Sequence, residues 1–199
     1  MAPMGSFYLI VGLGNPGREY ARTRHNAGFM VLERLGERWQ SSWALEKKFH
    51  SRVVRTERVG CKLVLCQPET FMNASGEAVG PLVNYYEVDL ERMLVVVDDA
   101  DLPFGEVRLR ARGSSGGHHG LESIERHLGS REFPRLRLGI GREPREGARQ
   151  ITGHVLSHFS AGERELLEKV LLRACDQVEC WLREGILKAM SQFNGVVKT

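Results

Sequence analysis

The sequence predicts a single α/β domain, and two observations lead to this prediction. Segments with strand spacing alternate with segments of helical spacing along most of the chain, which is the pattern of helices layered on a sheet. The run Met93 to Val97 is entirely apolar, as expected for a central strand covered on both faces. The chain has 199 residues and shows no repeat, low-complexity stretch or linker, so residues 1–199 fit one domain.

The first elements are predicted to be a strand, a helix and a hairpin. Phe7 to Val11 is a short apolar strand, and Asn26 to Trp39 repeats its apolar residues at helical spacing. Ser51 to Thr56 and Cys61 to Cys66 are rich in β-forming residues and lie on either side of Gly60. Two such runs with a short turn between them indicate a β-hairpin.

Helices and strands continue to alternate in the second half. Asn73 to Tyr86 is predicted to be helical, with a bend at Gly80-Pro81 because proline interrupts the helical hydrogen bonds. Leu121 to Leu128 is a further helix and Leu136 to Ile140 a further strand. Ser160-Ala-Gly-Glu163 has the pattern of a capping box and predicts a long helix to about Glu184. We expect residues 185–199 to form a short helix and a loose tail.

The basic residues are concentrated on one predicted strand and its neighbourhood. Val107 to Arg112 alternates apolar residues with arginines, so Arg108, Arg110 and Arg112 share one face. Between residues 105 and 150 ten arginines oppose six acidic residues, a net of +4 in a chain whose net charge is +3. Such a local excess is expected of a protein that contacts phosphate. A solvated face of a chain that prefers arginine explains it equally well.

Composition excludes several classes of protein. No apolar run approaches the roughly 18 residues that a membrane span needs, and residues 1–14 lack the basic region of a signal peptide. Four cysteines are too few for a disulfide framework in a chain of this length. Cys61 and Cys66 would point to opposite faces of a strand, and Cys175 and Cys180 to different sides of a helix. We therefore expect buried or semi-buried thiols in a reducing compartment.

Three polar or glycine-rich segments stand at the ends of predicted strands or the starts of predicted helices. They are Gly12-Leu-Gly-Asn-Pro-Gly17, Phe71-Met-Asn73 and Gly113-Ser-Ser-Gly-Gly-His-His-Gly120, with His25 and Asp98 between them. A carboxylate at a strand end can accept a hydrogen bond from an imidazole and raise its basicity. Since the set offers imidazole, carboxylate and amide groups but no convincing nucleophile, it predicts hydrolysis by an activated water.

The first segment also matches the dinucleotide-binding fingerprint, Gly12-x-Gly14-x-x-Gly17. That fingerprint must open a helix whose N-terminus receives the pyrophosphate. Pro16 lies inside the match here, and helical spacing begins only near Asn26. We therefore interpret the segment as a turn that presents the Asn15 amide at the end of a strand.

The third segment matches the nucleophile elbow of serine hydrolases, Gly113-x-Ser115-x-Gly117. The elbow needs a buried apolar strand before it, and the strand here is basic. Glu143 or Glu146 followed by His154 would give the required order of partners, so a Ser115 esterase is an alternative. The other interpretation is a flexible loop whose backbone approaches a ligand closely.

Two further patterns suggest metal ligands. Asp98, Asp99 and Asp101 are acids in a short stretch, as in a loop for a hard cation, but the rest of such a loop is missing. His154-x-x-x-His158 has helical zinc spacing, but no acid completes the motif. We therefore predict no metal and no cofactor.

At these residues the chain resembles the bacterial-type peptidyl-tRNA hydrolases. The matching stretches are Leu9-Ile-Val-Gly-Leu-Gly-Asn-Pro-Gly-Arg-Glu-Tyr20, Thr23-Arg-His-Asn-Ala-Gly28, Pro68-Glu-Thr-Phe-Met-Asn-Ala-Ser-Gly-Glu77, Val97-Asp-Asp-Ala-Asp-Leu-Pro103, Gly116-Gly-His118 and Arg135-Leu-Arg-Leu-Gly-Ile-Gly141. The resemblance reaches to about Asn194, and several motifs in the same order are far more specific than any one of them.

The resemblance implies a twisted, mostly parallel mixed sheet flanked by helices. It implies metal-free hydrolysis, without a cofactor, of the ester that joins a peptide to the 3′ ribose of tRNA. The partner is then tRNA carrying a peptidyl group, with no protein partner and no membrane. A cytoplasmic monomer is the expectation that goes with this family.

The resemblance also assigns roles to individual residues. His25 corresponds to the general base and Asp98 to its supporting carboxylate, while Asn15 helps to distinguish blocked from free amino groups. Asn73 or a backbone N–H would steady the oxyanion. The remaining expected contacts are Tyr20, Phe71, Met72, Asn73, His118 and His119 for the peptide and the 3′ end, and Arg108, Arg110 and Arg137 for tRNA phosphate.

One position departs from the family pattern. The family normally has asparagine after the histidine of its Gly-Gly-His loop, and this chain has His119. An amide donates and accepts hydrogen bonds together, whereas a neutral imidazole does so only through two separated nitrogens. The departure leaves a second hypothesis open, that of an RNA-binding protein with a vestigial site.

Overall fold

The computed structural model describes residues 7–141 and 153–198 and contains an eight-stranded mixed sheet in the order β2-β3-β4-β1-β5-β7-β6-β8. The strands are β1 Phe7–Gly12, β2 Ala44–Glu46, β3 Ser51–Arg58, β4 Cys61–Pro68, β5 Met93–Asp99, β6 Glu106–Arg110, β7 Arg135–Gly139 and β8 Gly195–Val196. The longer helices are α1 Ala27–Arg38, α2 Ser75–Tyr85, α3 His119–Leu128, α4 Arg164–Glu184 and α5 Ile186–Phe193. The predicted α/β class is confirmed.

The four central strands β4, β1, β5 and β7 are parallel, and antiparallel strands extend the sheet on both sides. Parallel strands end at the same edge of a sheet, where α/β proteins place their ligands. The loop after β1 and the last residues of β5 therefore meet at one edge. Two of the stretches that carry the resemblance, Leu9 to Tyr20 and Val97 to Pro103, therefore meet at this edge.

Two apolar cores lie on opposite faces of the sheet, as the strict alternation of side chains requires. Ile10 of β1 packs with α1 and α4 on one face. Leu9 and Val11 pack with α2 and α3 on the other. Met93 to Val97 are fully buried because both faces of β5 are covered, which confirms the prediction made from that apolar run.

The glycine fingerprint after β1 serves the packing of α1. A Cβ atom on Gly28 would lie 2.4 Å from the backbone nitrogen of Leu13 and 2.4 Å from the carbonyl oxygen of Val96. A Cβ atom on Gly12 would lie 2.5 Å from the carbonyl oxygen of Gly28. Both positions therefore need glycine, since the start of the helix lies directly against β1 and β5.

Most predicted elements are present, and two short strands were missed. The hairpin, the helix through Pro81 and the capping box of Ser160 and Glu163 are all confirmed. The prediction of a loose C-terminal tail was wrong in part, because β8 pairs with β6. Asn194 donates a hydrogen bond to the carbonyl oxygen of Leu109 and accepts one from its N–H, so its amide continues the edge of the sheet. No sequence signal marked β2, which is three residues long.

The four cysteines are free thiols, and Cys66, Cys175 and Cys180 are buried. Burial raises the pKa of Cys66 and of Cys175 to about 12, which makes both thiols poor nucleophiles. Within residues 7–141 and 153–198, no helix is both long and apolar enough to cross a membrane.

Candidate active site

A cleft of about 580 Å³ opens at the edge where β1 and β5 end. It gathers most of the residues predicted from the sequence: Asn15, His25, Phe71, Met72, Asn73, Asp98, His118, His119 and Arg137. They come from the loop after β1, the turn before α1, the turn before α2, the end of β5, the start of α3 and strand β7. Tyr20, Arg108 and Arg110 do not line it.

His25 and Asp98 form a hydrogen-bonded pair at the floor of this cleft. His25 lies in the 3-10 turn Arg24–Asn26 that leads into α1, and Asp98 is the penultimate residue of β5. Nδ1 of His25 is 2.9 Å from Oδ1 of Asp98, and the Asp98 side chain is buried. A carboxylate only accepts, so Nδ1 carries the hydrogen and Nε2 keeps the lone pair.

The charges of the pair shift both pKa values toward the ionised forms. Burial alone would lower the pKa of His25, but the charge of Asp98 and its hydrogen bond outweigh burial and raise it above its ordinary value. Burial alone would raise the pKa of Asp98, but the two imidazoles beside it hold that pKa well below its usual range. Asp98 is therefore a carboxylate at cellular pH, and it makes His25 a stronger base.

His118 is the second imidazole on Asp98. Its Nε2 is 3.0 Å from Oδ1 of Asp98, the oxygen that His25 also contacts. Nδ1 of His118 accepts a hydrogen bond from the N–H of Leu121 in the first turn of α3. The helix thus fixes the tautomer of His118, because a nitrogen that accepts cannot carry the hydrogen, and Nε2 must donate to Asp98.

Asn15 is locked by two neighbouring segments. Its backbone N–H donates to the side-chain oxygen of Asn26, and its carbonyl oxygen accepts from the Asn26 amide, both at 2.9 Å. Its own side-chain oxygen accepts from the N–H of Met72 at 2.8 Å. The side-chain amide NH₂ of Asn15 is therefore the group left to donate to a ligand in the cleft.

The turn before α2 presents two exposed side chains beside a buried one. Phe71 is extended and largely exposed, Met72 is buried, and Asn73 is exposed. In the part of the chain that the structure describes, the side chain of Asn73 has no hydrogen-bond partner, so its amide is available to a ligand. Phe71 offers an aromatic face at the rim.

The glycine-rich loop places Ser115 outside the cleft. Its hydroxyl is 3.5 Å from Oε1 of Glu122 and accepts a hydrogen bond from the N–H of Gly117. Ser115 lines a separate pocket along α3. Glu143 and Glu146, the acids proposed for a serine triad, lie outside the described residues. His154 contacts the carbonyl oxygen of Ile140.

The geometry of His25, Asp98 and His118 also bears on metal binding. The potential ligand atoms of these three residues lie within 4.8 Å of one another. One nitrogen of each imidazole, however, meets the same carboxylate oxygen at hydrogen-bond distance, and the N–H of Leu121 sets the tautomer of His118. We therefore interpret the cluster as a hydrogen-bonded network rather than as metal ligands.

Comparison with known proteins decides the family. The profile of the peptidyl-tRNA hydrolases matches residues 9–199. The chain belongs to the peptidyl-tRNA hydrolase family. It is 50% identical over 189 residues to the peptidyl-tRNA hydrolase of Synechococcus sp. (strain JA-2-3B'a(2-13)), which covers 95% of this chain and 84% of that protein. It is 45% identical over 188 residues to that of Thermoanaerobacter sp. (strain X514), with 94% and 100% covered.

Solved structures of the family have the same fold. The crystal structure of peptidyl-tRNA hydrolase from Acinetobacter baumannii matches this chain with a TM-score of 0.91 at 36% identity, and 99% of each chain is covered. A crystal structure of a peptidyl-tRNA hydrolase in complex with N-propanol matches with a TM-score of 0.92 over 100% of both chains. The chain is thus an enzyme of this family by sequence and by fold.

The arginines expected to contact tRNA occupy two different environments in this family member. Arg137 lines the cleft, but its guanidinium already donates to Asp99 at 2.9 Å and to the carbonyl oxygen of Ser114 at 2.7 Å. Arg108 pairs with Glu106 and Arg110 is exposed, both outside the cleft on β6. Tyr20 lies in the loop after Gly17 and its carbonyl oxygen accepts from Thr23.

Sequence reasoning missed one wall of the cleft in this peptidyl-tRNA hydrolase family member. Val155 and Leu156 line it, and the only signal near them was the pair of histidines at 154 and 158. Arg24 fixes this wall, because it donates to the carbonyl oxygen of His158 and, at 2.7 Å, to Oε1 of Glu163. Arg24 directly precedes His25, so this wall and the His25 imidazole are attached to one turn.

Proposed function

We propose that this protein hydrolyses the ester bond between the peptide and the tRNA of peptidyl-tRNA and so releases free tRNA. The observation that carries the proposal is the buried pair of His25 and Asp98, joined at 2.9 Å, at the floor of the 580 Å³ cleft. Membership of the family gives the substrate class. The hydrogen-bonded pair of His25 and Asp98 supports the proposed chemistry, in which an imidazole activates a water molecule.

His25 acts as the general base. Its Nδ1 hydrogen is held by Asp98, so Nε2 is free to take a proton from a water in the cleft. The raised pKa of His25 makes it a better proton acceptor than an isolated imidazole. The resulting hydroxide-like water attacks the ester carbonyl. No step needs a metal ion, and we propose metal-free hydrolysis.

Two side-chain amides support the substrate during this step. Asn73 can donate to the oxyanion that forms on the ester carbonyl, a contribution of about 3 kcal/mol when well aimed. Asn15, held by Asn26 and Met72, can donate its side-chain amide to a carbonyl of the peptide. A blocked amino group, as in N-acylated aminoacyl-tRNA, provides such a carbonyl, whereas a free amino group does not.

The polynucleotide is held outside the cleft. Arg108 and Arg110 share one face of β6, and the exposed guanidinium of Arg110 is suited to phosphate. Arg137 is a weaker candidate for phosphate, because its two terminal nitrogens already donate to Asp99 and to the carbonyl oxygen of Ser114. Phe71 and Tyr20 remain proposed contacts of the substrate.

The test is release of tRNA from N-acetylaminoacyl-tRNA by the purified protein in the presence of a chelator. We expect the wild-type chain to release tRNA and His25→Ala to lose at least a hundredfold in kcat, since general base catalysis typically contributes that much. A thermal melt of the variant controls for folding. Binding of the RNA without release by the wild type would favour the RNA-binding hypothesis instead.

A further inference from the structure

A second imidazole–carboxylate pair lies at the mouth of the cleft. His119 is the first residue of α3, its side chain is 74% exposed, and it lines the cleft together with His25. Its Nδ1 is 3.2 Å from Oε2 of Glu122, one turn further along the same helix. This pair is separate from the buried pair of His25 and Asp98.

The contact with Glu122 leaves one nitrogen of His119 for a ligand. A carboxylate accepts, so Nδ1 of His119 carries the hydrogen. Within residues 7–141 and 153–198, Nε2 of His119 has no hydrogen-bond partner. When the ring is protonated, both nitrogens are donors, and Nε2 can donate to a substrate while Glu122 stabilises the charge.

The reaction proposed above must protonate the departing ribose oxygen, and a donor that is protonated from the start can do so without waiting for His25 to become an imidazolium. His25 must be neutral to take a proton from water, while the departing ribose oxygen must gain a proton as its bond to the carbonyl carbon breaks. His118 is unsuited to this role, since Asp98 and the N–H of Leu121 occupy both of its nitrogens.

We propose that His119, held by Glu122, is a catalytic acid that donates its Nε2 proton to the leaving 3′ oxygen of the ribose; this rests on the proposed hydrolysis of peptidyl-tRNA. Water forms the new bond to the carbonyl carbon and loses a proton to His25. The bond from that carbon to the ribose oxygen breaks, and the oxygen takes the proton of His119. Exchange with solvent then returns a proton to His119 and removes one from His25.

The other charged groups that line the cleft are compatible with a proton donor at position 119. Those that line it with His119 are His25, Asp98, Asp99, Asp101, His118 and Arg137. Arg137 is paired with Asp99, and Asp98 with the two imidazoles. An amide at position 119, as the family pattern has it, could contact the substrate but could not carry the proton. The inference therefore concerns this chain in particular.

The test measures kcat and KM for N-acetylaminoacyl-tRNA from about pH 5 to about pH 8.5, where imidazoles change charge. For the wild type we expect kcat to rise and then fall with pH, because the base must be neutral and the acid protonated. His119→Asn should remove the alkaline fall and lower kcat about a hundredfold at neutral pH, with KM within about twofold. Glu122→Gln should lower kcat at neutral pH a few fold with KM unchanged, because the carboxylate no longer stabilises the charged ring of His119.

His50→Asn is the control, since His50 is exposed, lies far from α3 in the sequence, and its backbone conformation suits asparagine. Its pH profile should equal that of the wild type. An alkaline fall that persists in His119→Asn, or a change in KM alone, would overturn the inference and leave the proposed function intact. Absence of tRNA release by the wild type would instead overturn the proposed function. If His119→Asn did not fold, Glu122→Gln would decide by the same profile.

Discussion

Strands β6 and β7 carry two arginines each on the same face, yet these arginines have different roles. Arg110 lies opposite Arg135 in the ladder, and Arg108 lies opposite Arg137. Arg135 is fully buried, whereas Arg110 is exposed. The comparison teaches that the residue type and the strand face do not decide what an arginine does. What decides it is the structure that covers the face.

The cover on β7 comes from α3 and from the loop before it. Arg135 donates to Glu125 of α3 at 3.3 Å and to the carbonyl oxygens of Ser114 and Arg131. Arg137 donates to the same Ser114 carbonyl at 2.7 Å. The two arginines of β7 thus fix the glycine-rich loop that leads to His118. The arginines of β6 lie nearer the edge of the sheet, where α3 and the loop before it do not cover them.

The strongest test of the comparison is Arg135→Met. We expect the free energy of unfolding to fall by about 3 kcal/mol or more, because the buried Glu125 loses an ion-pair partner and the carbonyl oxygens of Phe133, Ser114 and Arg131 each lose one donor. Urea denaturation measures the change. Arg110→Met, at the opposite position of the ladder, is the matched control and should change stability by about 0.5 kcal/mol or less. Equal losses in the two variants would contradict the comparison.

The second test is Arg137→Met against Arg108→Met. Arg137 makes a largely buried ion pair with Asp99 and holds Ser114, so its loss should cost about 2 kcal/mol. Arg108 pairs with Glu106 on its own strand and is more exposed, so its loss should cost about 0.5 kcal/mol or less. Urea denaturation of the two variants measures both changes in the free energy of unfolding. A larger cost at Arg108 would show that β6, not β7, anchors this face.

The third test concerns the arginines of β6, for which we expect the smallest effect on stability and the largest effect on RNA binding. Arg108→Ala and Arg110→Ala should leave the fold intact and weaken tRNA binding a few fold each. Each should also reduce the slope of log affinity against log salt by about one, as loss of a phosphate contact does. Filter binding at several salt concentrations measures both quantities. An unchanged slope would remove β6 from the RNA interface.

The fold was predictable where one pattern extended over a whole element. The apolar run Met93 to Val97 identified the central strand, and Ser160 with Glu163 marked the start of a long helix. Strand β8 was not predictable, because its two residues have no periodicity and form a strand only by pairing with β6. The alternation predicted the shared face of Arg108 and Arg110 correctly, but it was wrong for Arg112, because β6 ends at Arg110. It carried no information about which part of that face α3 would cover.

The site was predictable to the level of residues but not of contacts. Asn15, His25, Asn73 and Asp98 were predicted from polar groups at element ends, and all four line the cleft. That His118 shares an oxygen of Asp98 with His25 depends on the packing of α3 against β5, which no local pattern encodes. Nor does any local pattern show that Arg137, which we expect to contact phosphate, also donates to Asp99 and to the carbonyl oxygen of Ser114.

The absence of a side chain at Gly28 has a consequence for evolution and for engineering. The turn that carries His25 ends where α1 rests on the backbone of β1 and β5, so the distance from His25 to Asp98 depends on that contact. One added methyl group would lift the start of the helix and carry the imidazole away from its acid. A change that leaves charge, polarity and every functional group untouched would thereby separate the two members of the proposed catalytic pair, and a survey of reactive side chains alone would overlook it.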